Sequence, residues 1–198
     1  MAKDTRQKLI NTAKELINAS SYASVGVAEI CKQAEVNKGS FYHFFESKEE
    51  LGLIALEDGC QEHEPQLREI FADSKTAMQQ LDTFVKFFYE YQEEEFDKFG
   101  RVRGCPAVNL GSEMATQSQH FCDTVNKIMR RFDSYFIKLA QKFKDENLID
   151  NNVDAELLGR TLHTHILGLK IIAKLENNPL VFKQDLKPTM LRILGVKL

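Results

Sequence analysis

Apolar residues recur at three- and four-residue spacings in almost every segment of this 198-residue chain, and only four prolines and ten glycines interrupt them. One face of an α-helix repeats at that spacing, whereas a half-buried strand alternates every second residue. The pattern therefore predicts an all-α fold of about nine helices. Leu9, Ile10, Ala13, Leu16 and Ile17 form the inner face of a first helix, which the Ser20-Ser21-Tyr22 turn ends. Second and third helices are expected over about 26–34 and 38–44. Ser47 opens a fourth, with Glu50 three residues on completing a capping box, and Pro65 should end or kink it. The remaining helices are expected over about 74–97, 106–115, 118–147, 153–176 and 185–194.

Hydrophobic residues make up 43% of the chain and charged residues 28%, which suits a folded globular protein and excludes a disordered one. The net charge of −3 is unevenly spread: residues 1–45 carry six Lys/Arg against four Asp/Glu, and the remainder carries 20 against 25. A local footprint for nucleic acid on an acidic body is compatible with that split. Cys31, Cys60, Cys105 and Cys122 form no C-x-x-C pair, which favours a reducing compartment, so a cytoplasmic location is expected. The N-terminus lacks an apolar signal core and the most apolar stretch, 166–173, is cut by Lys170, so no membrane segment is expected.

Residues 26–50 carry the most specific signal. Two short helices separated by a tight turn, with Val27, Ile30, Ala34, Val36, Phe41 and Phe45 available to lock them together, have the make-up of a helix-turn-helix. Asn37, Lys38, Ser40, Tyr42 and His43 remain outside, as polar, basic and aromatic groups able to reach bases or phosphates, and Gly39 allows close backbone approach. The plainer alternative makes the aromatic run a core cluster, but Phe41, Tyr42, His43, Phe44 and Phe45 on one short helix cannot all face inward.

The run Lys38-Gly39-Ser40-Phe41-Tyr42-His43-Phe44-Phe45, followed by Ser47-Lys48-Glu49-Glu50-Leu51, resembles the signature of the TetR family of transcriptional regulators. The resemblance covers residues 5–55 closely and the rest in architecture. It implies a three-helix DNA-binding domain over 1–46 and a helical ligand-binding and dimerisation domain over 47–198, with the fourth helix bridging them. It also implies a double-stranded operator as partner, contacted by Val27, Asn37, Lys38, Gly39, Ser40, Tyr42, His43 and Lys48, with Tyr42 and Lys48 on phosphates. Departures from the family pattern include Glu35 where the turn commonly has glycine, and Gly26 where a polar helix cap is frequent. A left-handed Glu35 would carry strain of about 1 kcal/mol.

The segment Gly104–Met114 resembles one found in family members that repress electrophile-responsive genes. Cys105, at a helix start near Arg101 and Arg103, is read either as a reactive thiol or as a small apolar filler. A pocket for a small-molecule inducer is expected to be lined by Phe84, Phe88, Tyr91, Cys105, Asn109, Met114, Phe121 and His163. Apolar stripes on the last two helices, Leu158, Leu162, Ile166, Leu169 and Ile172 with Met190, Leu191 and Leu194, are assigned to a homodimer interface. His163 and His165 lie two apart on a helix and cannot share one ion, so no metal is expected. No catalytic motif is present, so neither enzymatic activity nor a cofactor is expected. Rival readings are a DNA-binding regulator with no small-molecule input, and a helical ligand carrier or enzyme.

Overall fold

The computed structural model describes residues 2–196, which form ten helices and, among the described residues, no strand. In chain order these are α1 (Ala2–Ala19), α2 (Val27–Gln33), α3 (Lys38–Phe44), α4 (Lys48–Gln61), α5 (Glu64–Ile70), α6 (Ala77–Phe99), α7 (Pro106–Met114), α8 (Gln119–Asp145), α9 (Ala155–Glu176) and α10 (Leu180–Leu194). The helix beyond the expected nine is α5. Where a kink or an end was expected at Pro65, α4 stops at Gln61 and Pro65 lies in the first turn of α5, where its missing N–H costs no hydrogen bond. Helix α6 begins three residues later than expected because Thr76 caps it: the Thr76 hydroxyl and the Gln79 side chain each accept the other's backbone N–H. Helix α10 begins five residues earlier than expected, with Pro188 inside it.

The helices pack into two compact units. The first comprises residues up to His63 together with Pro106–Ile128, and the second comprises Glu64–Cys105 together with residues from Met129 onward. In the first unit Leu9, Ile10 and Ala13 of α1 meet Ile30 and Cys31 of α2, Phe41 of α3, Phe45, and Leu51 and Ala55 of α4 in one core. Lys14 on α1 ties this core's edge to α4 through Asp58 at 2.7 Å and through Glu62. In the second unit an aromatic seam runs through Phe71, Phe84, Phe88, Phe136 and Phe182, with ring centroids 5.1–5.8 Å apart. Gly159 lets α9 close on α8: a methyl group there would lie 2.4 Å from the Ile137 backbone nitrogen.

Five helices end on a left-handed residue, α6 at Gly100 among them, and the other four share one pattern. Glu35, Asn147, Asn177 and Gly195 have φ of 56°, 56°, 50° and 74°. In each case the following N–H reaches back to a carbonyl five residues earlier, as from Val36 to Cys31 at 2.9 Å and from Leu148 to Phe143 at 2.9 Å. Asparagine and glycine tolerate this conformation and glutamate does not. Glu35→Gly therefore relieves strain at the α2–α3 turn, partly offset by a freer unfolded chain. Urea unfolding is expected to show a gain of about 0.5–1 kcal/mol. An unchanged midpoint would show that the strain at the turn does not exceed the entropy of the freer unfolded chain.

Candidate nucleic-acid interface

Helix α3 has seven residues, too few to be stable alone, and its aromatic spacing anchors it. Phe41 and Phe45 are buried in the core of the first unit with centroids 5.8 Å apart, and Phe44 packs half-buried beside them. With those positions inward, Lys38, Gly39, Tyr42 and His43 are exposed, Tyr42 to 59% despite its large ring. The Tyr42 ring stands edge-on to Phe41 at 5.0 Å, and His43 edge-on to Phe44 at 4.8 Å, so both are steered by buried neighbours.

Asn37 caps the helix: its Oδ1 accepts the Ser40 N–H at 2.8 Å. Its carbonyl oxygen is thus committed, which leaves hydrogen donation by the amide as what this side chain offers a phosphate. A methyl group at Gly39 would approach that cap oxygen to 3.2 Å, so the glycine also keeps the cap uncrowded. Ser40 is half-buried, and Val27 packs partly onto the unit's own core. Gly26, at the start of α2, makes no side-chain cap.

Lys48, expected on a phosphate, has partners inside the protein. It is half-buried, and its ammonium donates to the carbonyl oxygens of Tyr22 at 2.8 Å and Val25 at 3.0 Å while lying 4.0 Å from the centre of the Tyr22 ring. Burial pushes its pKa below the usual lysine range, against the pull of Glu113. This lysine holds the α1–α2 loop with two of its three ammonium donors. The cap before it also differs from a reciprocal box: Ser47 accepts the Glu50 N–H at 3.1 Å, but Glu50 reaches back to the N–H of Glu46 at 2.6 Å.

The expected ligand residues divide between the units. Phe84, Phe88, Tyr91, Cys105 and His163 lie in the second, and Asn109, Met114 and Phe121 in the first. Phe84 and Phe88 belong to the aromatic seam, and Tyr91 stacks with Phe87 at 6.5 Å. His163 is buried, stacked on Phe136 at 5.5 Å, with Nδ1 2.6 Å from Asp133 Oδ1. Burial pushes its pKa below the ordinary histidine range although Asp133 draws it upward. Phe121 is a core residue, fully buried against the Tyr22 ring. Cys105 is half-buried immediately before α7, and Arg103 is paired with Glu95 and lies 3.7 Å from the Phe99 ring centre. A separate open depression of about 340 Å³ on the first unit is lined by residues including Leu53, Ile54 and Glu57.

The expected interface stripe is corrected more strongly. Leu162, Ile166, Met190, Leu191 and Leu194 are buried in the core of their own unit, and Leu158 and Leu169 pack against it. Only Ile172 of that set is exposed. Helix α9 is apolar on more than one side, and α10 and α8 pack against it within the unit. Its exposed apolar residues are Leu157, Ile171, Ile172 and Leu175, joined by Leu180 of α10.

A family profile described as bacterial regulatory proteins, tetR family, matches residues 9–53, and one described as the tetracyclin repressor-like C-terminal domain matches residues 77–186. This chain belongs to the TetR family. The transcriptional regulator AcuR of Cereibacter sphaeroides is 30% identical over 87% of this chain and 78% of its own length. The transcriptional repressor NemR of Escherichia coli K12 is 25% identical over 88% of this chain and 86% of its own. A crystal structure of a regulatory protein TetR from Rhodobacter sphaeroides superposes with a TM-score of 0.78 and 29% identity, covering 96% of both chains. The TetR-family chain is thus a DNA-binding transcriptional regulator and not an enzyme. Among its described residues no helix is long and apolar enough to cross a membrane.

Because Lys48 is engaged inside the protein, Lys48→Met removes two charge-assisted hydrogen bonds and should destabilise the first unit by about 2–3 kcal/mol. The salt dependence of operator binding should keep its slope. A slope shallower by about one in log–log terms would instead return Lys48 to the phosphate backbone.

Proposed function

We propose that this TetR-family chain is a repressor that binds a palindromic operator as a homodimer and is released by a small-molecule inducer. Each copy lays α3 in a major groove, with Lys38, Ser40, Tyr42 and His43 at base edges and phosphates. The observation that carries this reading is the outward display of Lys38, Tyr42 and His43 from a helix whose Phe41 is buried. A large exposed ring on a seven-residue helix otherwise costs apolar burial, and it offers both stacking surface and a hydroxyl. Residues 1–46 supply the reading head, and residues 47–198 supply ligand binding and dimerisation.

The apolar side of α9 left uncovered supports the homodimer, with Leu175 exposed to 77% and Ile171 and Ile172 to 45% each. Isologous pairing about a two-fold axis would bury those residues and set two reading helices about 34 Å apart, one turn of duplex. Release follows as a population shift: the inducer favours dimers whose heads no longer fit successive grooves, by no more than its differential affinity for the two forms. The name of NemR as a repressor supports the sign of regulation, and the four free cysteines support a cytoplasmic location.

Selection of bound fragments from a random duplex library tests the reading. The wild-type chain should enrich a palindrome, with affinity falling steeply as salt rises. Lys38→Ala should make the salt slope shallower by about one. Leu175→Glu should give monomers by light scattering and lose operator affinity, because a charge on a buried apolar face is costly. Failure of the wild-type chain to enrich any duplex at low salt would overturn the proposal.

A further inference from the structure

The loop between α1 and α2 is held from two sides by residues distant in sequence. Glu113, in the last turn of α7, accepts the Tyr22 N–H through Oε2 at 3.0 Å and the Ala23 N–H through Oε1 at 2.6 Å. Lys48, in the first turn of α4, takes the carbonyl oxygens of Tyr22 and Val25. The Tyr22 residue therefore has its N–H on a carboxylate and its C=O on an ammonium. Its ring is fixed too: it stands edge-on to Phe121 at 5.0 Å, and a methyl group at Gly52 would come within 3.0 Å of it. Burial, with Glu49 and Glu113 nearby, pushes the Tyr22 phenol up to about 12. All of these groups lie within the first compact unit.

Helix α2 starts at Val27, four residues after Ala23, and Gly26 gives it no side-chain cap. Val25 is buried and Val27 packs on the core, which holds the start of α2 down, while the two ties fix the loop backbone through which it leaves α1. We propose that Glu113 is a positioning residue for DNA reading: by gripping the two amides of the α1–α2 loop, it sets the angle at which the α2–α3 pair presents Lys38, Tyr42 and His43. The inference rests on the proposed role of that pair in operator binding.

Charge and geometry make opposite demands, which gives the test its sign. Removing a carboxylate from a unit that binds a polyanion strengthens binding on charge alone. Glu113→Gln keeps the shape of the side chain but sets an NH2 group against one of the two loop amides, so a fall in affinity reports lost positioning. The probe is the duplex enriched by the wild-type chain, titrated by fluorescence anisotropy at fixed salt. Glu113→Gln should bind about tenfold more weakly, with an unchanged salt slope. Its amide hydrogen exchange should quicken over residues 20–26 but not over α4. Ser118→Ala breaks two neighbouring bonds, from Ser118 Oγ to Glu49 Oε1 at 2.7 Å and from the Phe121 N–H to Ser118 Oγ at 3.3 Å, neither of them to a loop amide or carbonyl, and should bind as the wild type does.

Equal or tighter binding by Glu113→Gln beside a wild type that binds overturns this inference alone. So does an equal loss in Ser118→Ala, or faster exchange throughout the first unit, since either would reveal general loosening. A wild-type chain that enriches no duplex overturns the DNA-reading conclusion and this inference together.

Discussion

Burial of Phe41 and Phe45 against α1 and α4 is the interaction on which the rest of the reading head depends. Helices of seven residues do not pay for their own nucleation in water, so α2 and α3 exist as helices because packing holds them. Once those two rings are inward, the 100° step between successive residues leaves Tyr42 and His43 no choice but the surface. The same fact that folds α3 thus aims it. Exposure of Tyr42 and His43 is a by-product of core formation.

Hydrophobic burial places α3 but is non-directional, and polar ties supply the direction. Three kinds recur: the Asn37 cap at the start of α3, the left-handed turn at Glu35 between α2 and α3, and the paired grip of Lys48 and Glu113 on the loop before α2. Each pairs backbone groups that a helix end or loop leaves without an intrahelical partner. Two of the residues concerned, Glu35 and Lys48, do so at a cost, one in backbone strain and the other in desolvation of an ammonium. Both costs fall in the part of the molecule where orientation matters most.

Much of this was legible in the chain. The periodic apolar residues located nearly every helix, the order of residues 38–51 identified the reading motif, and the left-handed turn at Glu35 was foreseeable from a glycine position occupied by glutamate. What escaped was the assignment of faces. On α9 the stripe Leu158-Leu162-Ile166-Leu169 has the same spacing whether it meets a partner or its own unit, and only the positions of the neighbouring helices decide. The exposed doublet Ile171-Ile172 and Leu175 were the available signal, since one inward stripe cannot absorb them as well. The inner partners of Lys48 escaped for a related reason: nothing local announces that two loop carbonyls lie within its reach. Glu113 was invisible because its partners lie about 90 residues away.

The first compact unit is discontinuous: residues up to His63 are completed by Pro106–Ile128. Long-range closure of this kind is slow compared with local helix formation. During synthesis, which proceeds at roughly 5–20 residues per second, the helix-turn-helix emerges early but waits for α7 and the start of α8 to close its loop. A nascent or truncated chain therefore carries the motif without its finished geometry. For the same reason, chimeras that graft this motif onto a related body must transplant residues 106–128 as well, or match them.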